Sequence, residues 1–476
     1  MRKIRNSIIM NIIKKKEDES VKGKTLTRDF TKGSIVKQLL FFMLPFMASN
    51  ALQVLYSTID MIIVGEYVGT AGLSAVSQSS QIVNFATMVS LGVSSAGQVL
   101  ISQALGAGKK KEMNQIIGTL FDVIMLLGIV LSVVILVASR GILNVLNIPE
   151  ESDQFAMDYL IICASGLVFT AGYNLVAAVL RGMGDSKRPF LFIGIASVVN
   201  LVLDILFTGI LDWKVAGAAW ATIIGQAVSF LFSLFYLFRK RREFGLEFKK
   251  ENFVFNRHYA KMIAALGTPM AIQSAAINIS MLFVNGMVNG IGVVASATFG
   301  VGLRIDDIIN KISMGIQQAA MPMVGQNIAA NKPKRAVKVV YTSWIFSGIW
   351  MAVFIAAYLL VGRYVFMLFD SNPEVHALSG TFIAAIVWMF PAMGIMRGTS
   401  AFIQGIGNAK FGMTLALMDG VILRIGLSWL FGVVFGWGFY GFVLGYALAP
   451  YGYAIPGAIY FLSGAWKKRR ILAEDI

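Results

Sequence analysis

The stretch SLGVSSAGQVLISQALGAGK (90–109) returns, ungapped, 223 positions later as SMGIQQAAMPMVGQNIAANK (313–332). Small residues, a glutamine and the closing lysine keep their places while aliphatic residues interchange. The correspondence reaches outward in both directions. RGMGDSK (181–187) aligns with QGIGNAK (404–410), Pro45 with Pro269, Pro149–Glu150 with Pro373–Glu374, and Trp213 and Gly217 with Trp437 and Gly441. Self-similarity at a near-constant offset of 223–224 residues over so much of the chain means two copies of one structural unit.

Composition says where those units reside. Hydrophobic residues make up 57% of the 476, charged residues only 14%, and mean hydropathy is +0.71. A soluble domain carries about 25% charged residues, so the chain is a polytopic membrane protein. Apolar runs of helical length fall at 38–65, 72–105, 114–139, 154–180, 189–210 and 215–238. Their counterparts fall at 262–290, 294–328, 338–362, 377–403, 411–435 and 438–464. They are continuous, unlike the alternating segments of a barrel. The fold class expected is all-α, with twelve transmembrane helices in two six-helix lobes.

The loops fix an orientation. GAGKKKE, RGMGDSKRP, FRKRREFGLEFKK, NKPKRAVK and WKKRR alternate with NIPEESDQ, LDWKVAG, DSNPEVH and FGWG. Of the 41 Lys and Arg, only Arg140, Lys214 and Arg363 fall on the second side, and Arg304, Lys311, Arg397 and Arg424 fall inside apolar runs. The positive-inside rule puts both termini in the cytoplasm of a cell-membrane protein. Six spans per copy is even, so the lobes are parallel, related by a pseudo-two-fold axis along the membrane normal. The expected divisions are a cytoplasmic tail at 1–36, a first lobe at 37–238, a linker at 239–261, a second lobe at 262–465 and a tail at 466–476. The opening MRKIRNSIIMNIIKKKEDES lacks a cleavable signal, so the first span is expected to be its own anchor. Because the net charge of +16 sits in these loops, it reads as topology and not as nucleic-acid affinity.

Two parallel six-helix lobes suit a transporter that rocks about a central site. No P-loop, dinucleotide turn, HExxH or nucleophile elbow occurs in context, so no enzymatic activity is expected and the energy source is an ion gradient. The lone Cys163 lies in an apolar run as a packing residue, and His258 and His376 fall in loops. RGMGDS and QGIGNA read as tight inter-helix turns in which glycine supplies unusual backbone angles.

STIDMIIVG (57–65) places Asp60 in an otherwise apolar span. A charge at such depth costs several kcal/mol by most scales, which makes it a functional candidate. Asp60 and Asp204 each lie about six residues from the outer end of their spans, roughly 10 Å deep. Tyr56 and Asn200 sit one turn before them on the same faces. Tyr159 and Thr222 enter the same layer from the fourth and sixth spans. Two carboxylates with no basic neighbour can hold a proton between them, or coordinate Na⁺ through Asp60, Asp204, Asn200 and Thr222. Asp122 reads as interfacial and Glu66 as solvated.

The second lobe departs from this pattern. Positions matching Asp60 fall on Val284 or Asn285, and those matching Asn200 and Asp204 on Leu423 and Leu427. Its acids are Asp306, Asp307 and Asp419. Arg304, Asp307 and Lys311 share a helix face as a local charge network. Asp419 and Arg424, five residues apart, are expected to find partners on other spans. Gln53, Gln273, Asn278, Arg304, Asp307 and Asp419 are the candidates for substrate contact or gating.

With LPFMASNALQVLYSTIDMIIVGEYVG, LGAGKKKE, RGMGDSKRP and NLVLDILF, the chain resembles the multidrug and toxic compound extrusion (MATE) family, in its DinF/MepA-like branch. The resemblance covers about residues 33–465. It implies a V-shaped monomeric antiporter exporting cationic, lipophilic drugs against H⁺ or Na⁺, with no other cofactor. It also implies that Asp60 is the essential first-helix acid and that Asn200 and Asp204 are the fifth-helix pair. Some members hold Na⁺ on acids of the seventh and tenth spans; Gln273, Asn278 and Arg397 here supply none. The basic residues of the second lobe keep a related activity open, flipping of a lipid-linked oligosaccharide or peptidoglycan precursor. A channel without coupled transport is the remaining alternative.

Overall fold

The structure, a computed structural model, describes residues 26–146, 148–247, 254–370, 372–468 and 472–476. Most of the expected N-terminal tail and residues 248–253 of the expected linker lie outside them.

The first lobe contains α1 (Ile35–Val68), α2 (Thr70–Gly106), α3 (Lys110–Val145), α4 (Glu150–Ser165), α5 (Leu167–Gly182), α6 (Lys187–Asp204) and α7 (Lys214–Arg239). In the second, α8 (Arg257–Asn289), α9 (Val293–Ala329), α10 (Pro333–Phe369), α11 (Pro373–Ile386) and α12 (Met389–Gly405) come first. They are followed by α13 (Ala409–Leu417), α14 (Arg424–Trp429), α15 (Gly438–Leu448) and α16 (Tyr451–Leu462). The pairs α4–α5 and α11–α12 bend by 45° and 46° at a short break. With each pair counted as one span, eleven units among the described residues are long and apolar enough to cross a membrane. The twelfth, α9, is 37 residues long and carries Arg304, Asp306, Asp307 and Lys311 midway.

The repeat reappears as matched irregularities. Pro45 and Pro269 lie inside α1 and α8, where each removes a backbone donor. π turns at Ile205–Ile210 and Leu430–Val434 end the fifth and eleventh spans. Gly184 and Gly407, in the two aligned loops, have φ of +90° and +81°, angles that suit glycine. His258 and His376 are not in loops: each lies in the first turn of its helix, α8 and α11.

The opening stretch turns out to be the joint between the lobes. A Cβ on Gly92 of α2 would lie 2.8 Å from the backbone N of Ala271 on α8. Its counterpart, Gly315 of α9, would place a Cβ 2.7 Å from the N of Met47 on α1. Helices in lipid gain little from burying apolar surface, so close backbone approach over small residues does the joining. Hydrogen bonds between the lobes run from Gln103 Nε2 to Gly405 O (2.7 Å) and Gln98 Nε2 to Gln318 O (3.2 Å). They continue up to Asn50 Nδ2 to Lys311 O (2.7 Å) and Asn278 Nδ2 to Met88 Sδ (3.1 Å).

At the end bearing the basic loops, one core is shared by both lobes, with Phe42, Leu100, Ile101, Val324 and Phe402 buried together. Toward the other end the cores separate. Phe299, Phe366, Phe382 and Phe390 belong to the second lobe alone, and Val64, Val76, Leu160 and Val215 to the first. The lobes therefore meet at the basic end and part toward the opposite one.

Candidate functional site

Met47 and Asn50 define the face of α1 that meets the second lobe. Asp60, thirteen residues past Met47, is turned about 140° from that face at 100° per residue. It points into its own lobe, toward α6. There the carboxyl groups of Asp60 and Asp204 lie within hydrogen-bond reach of each other. Both residues are buried, and Asp204 closes α6 where the π turn begins.

Among the described residues, no donor reaches Asp60 Oδ1 or either oxygen of Asp204, and Asn200 Nδ2 has no acceptor. Among the described residues, neither acid forms an ion pair. A buried charge without a partner is costly, so the pair calls for a cation of its own. Asn200 is buried, and with half-buried Tyr56 and Thr222 it lines a small cavity that also includes Ser197 and Gln226. Tyr159, buried, lies beside Cys163, Asp60 and Tyr56. The six residues singled out by depth in the sequence thus come together between α1, α4, α6 and α7. Gln226 and Ser197 escaped that reading. Gln226 follows Thr222 by one turn and Ser197 precedes Asn200 by three residues, so helical spacing was the available signal.

The second lobe uses its charges differently. Asp419 finds its partner on its own span and not on another, because Arg424 Nη2 donates to Asp419 Oδ1 at 3.0 Å. The cause is a π turn over Met418–Leu423. Its wider winding brings residues five apart onto one face, where an α-helix would separate them by about 140°. The guanidinium of Arg424 also lies 4.7 Å over the Tyr446 ring, and the Tyr446 hydroxyl donates to Asp306 Oδ2 at 3.4 Å. Arg397 donates to Asn310 Oδ1 and, at 3.2 Å, to Ser313 Oγ. Val284 is buried in the core of its lobe.

Of the other candidates, Gln273 is buried within its lobe, donating to Ala409 O and accepting from Gln404. Asn278 bridges the lobes through Met88. Gln53 is half-buried on α1. The expected network on α9 reduces to one ion pair, Lys311 Nζ to Asp307 Oδ2 at 2.7 Å, while Arg304 is exposed one turn away. Among the described residues, no group of three His, Cys, Asp or Glu side chains is placed to hold a metal ion.

The sequence model of the MatE family matches residues 45–206 and 269–430, one match per lobe. The chain is 30% identical over 450 residues to the probable multidrug resistance protein YpnP of Bacillus subtilis, covering 94% of this chain and 99% of that one. It is 25% identical over 400 residues to the multidrug export protein MepA of Staphylococcus haemolyticus, covering 83% and 86%. A solved multidrug resistance MATE transporter in its outward-facing conformation superposes with a TM-score of 0.88 at 21% identity, over 93% of this chain and 98% of the other.

Proposed function

Because this chain belongs to the MatE family, we propose that it is a multidrug exporter of the cell membrane, driven by cation influx through Asp60 and Asp204. The observation that carries the reading is the contact between two buried carboxyl groups with no basic partner and three oxygens that no donor reaches. A proton held between the carboxyls supplies the missing positive charge. Na⁺ supplies it equally, with Asn200 and Thr222 completing an oxygen-rich shell.

With the basic loops in the cytoplasm, the joined end of the lobes faces inward and the cleft opens outward. The pair lies behind the cleft wall on α1 and α6. Loading or release of the cation there changes how those helices pack, and that change is passed to the joint at Met47 and Gly315. Drug is released outward and the cation is delivered inward in alternation, since an empty, charged carboxyl pair and one neutralised by its cation favour different packings.

Everted membrane vesicles test this. Uptake of a fluorescent amphiphile is followed with a pH gradient or a Na⁺ gradient imposed separately. One of the two supports accumulation, and dissipating it stops accumulation at once. Uptake that neither gradient drives would overturn the reading.

A further inference from the structure

The cleft wall that α9 presents to the other lobe is not neutral, and none of the preceding function uses it. Gly315 packs on Met47, and Asn50 donates to the Lys311 carbonyl, so this side of α9 faces α1. Within α9, Arg304, Asp307 and Lys311 lie on the same side by helical spacing. Above Lys311 the gap widens: Arg304 is exposed, a Cβ on Gly300 would meet nothing within 4 Å, and the Asp307 and Lys311 side chains are 49% and 46% exposed. Lys311 is the nineteenth of the 37 residues of α9, so these charges sit halfway along the helix. Charged groups at that depth face water-filled space and not lipid.

Among the described residues, the opposite wall brings no charge. Along α1 the positions that continue the Met47 face are Val54, Thr58 and Met61, and Asp60 is turned into its own lobe. Across the other joint, α2 and α8 meet through Met88 and Asn278. Inside the second lobe the two arginines, Arg397 and Arg424, are matched by two acids, Asp306 and Asp419. What remains on the cleft is two cations and one anion on a single helix face, spread over seven residues, about 10 Å.

A simple monocation meets a net positive face there. It can reach the Asp307 carboxylate only by displacing Lys311. A molecule carrying both an acid and an amine meets complementary charge throughout. We propose that α9 holds a recognition site for amphiphiles bearing an acidic group: Arg304 binds the acid, and Asp307 exchanges its bond to Lys311 for the amine of the ligand. This refines the expectation of purely cationic substrates, and it rests on the export reading.

The test compares a zwitterionic rhodamine carrying a free carboxylate with the methyl ester of the same dye. Binding to the purified protein is measured by fluorescence polarisation, and transport in everted vesicles. Wild type binds and moves the free acid about 1.5- to 5-fold better than the ester, the gain expected of one partly exposed charge pair. Arg304→Gln removes that preference by weakening the free acid, while the cationic ester, no longer facing a net positive charge, binds no worse than before. Arg304→Lys restores part of it, which separates charge from packing. Lys311→Gln frees Asp307 and shifts preference toward the ester.

A wild-type preference for the ester, binding of neither dye, or equal loss of both dyes in Arg304→Gln overturns the inference. Binding that favours the acid without transport leaves the recognition site standing and refutes the export reading instead.

Discussion

Gly92 and Gly315 are two copies of one joint, and a methyl group at either should pry the lobes apart. In the structure an alanine Cβ at position 92 would lie 2.8 Å from Ala271 N and 2.9 Å from its Cα. At position 315 it would lie 2.7 Å from Met47 N. These are backbone atoms, which cannot swing aside as a side-chain tip can. Overpacking of this kind costs typically 1–3 kcal/mol. The strain exists only while the basic ends are pressed together, so it is relieved by opening and shifts the equilibrium between the two states by roughly 5- to 150-fold. The only cysteine, Cys163, is buried, so spin labels attached to cysteines introduced in the loops after α2 and α9 report the separation directly. Gly92→Ala and Gly315→Ala are expected to move the distance distribution toward the longer population, and the double variant further. Unchanged distributions in both single variants would refute the claim that these glycines form the closing joint.

Three further outcomes follow from the same geometry. Asp419→Asn removes the ion-pair partner of buried Arg424 and should cost about 3–5 kcal/mol, whereas replacing both by leucine and methionine should cost far less; thermal unfolding in detergent measures the difference. Equal destabilisation by the single and double variants would argue against their pairing. Gln326 holds the segment before α1 through Phe30 N (3.0 Å) and Arg28 O (3.3 Å). Gln326→Ala should loosen that segment by about 2 kcal/mol, raising the rate of tryptic cleavage after Arg28 some thirtyfold; an unaltered rate would show that Arg335, which also donates to Phe30 O, suffices. Asp204→Asn supplies a donor to the partner carboxyl in place of the bound cation, and the variant is expected to be as stable as wild type while its dye transport falls to background. Persisting transport would remove Asp204 from the coupling set.

The architecture was readable because bilayer thickness and the repeat each constrain it independently. Apolar runs of the right length give spans, and Gly92 against Gly315 shows that the copies share even their points of closest approach. The acids were readable because depth alone sets Asp60 and Asp204 at one level. Pairings that depend on a departure from α-helical winding were not. Asp419 and Arg424 look misaligned at 100° per residue, and only the π turn over Met418–Leu423 brings them together. Nor does sequence show that residues 26–33, read as part of a tail, lie across both lobes. Arg28 N donates to Met183 O of the first lobe, and Phe30, fully buried, is held by Gln326 and Arg335 of the second. Those contacts are made by backbone groups, whose partners no composition or periodicity announces.

The central claim is that the Asp60–Asp204 pair couples drug movement to a cation gradient. Proteoliposomes containing Asp60→Asn test it most directly, with uphill accumulation under an imposed gradient and downhill counterflow of dye measured in one preparation. Loss of accumulation to background with counterflow retained is the predicted result, because the variant still opens and closes but binds no cation. Gradient-driven accumulation at the wild-type level in Asp60→Asn would contradict the account.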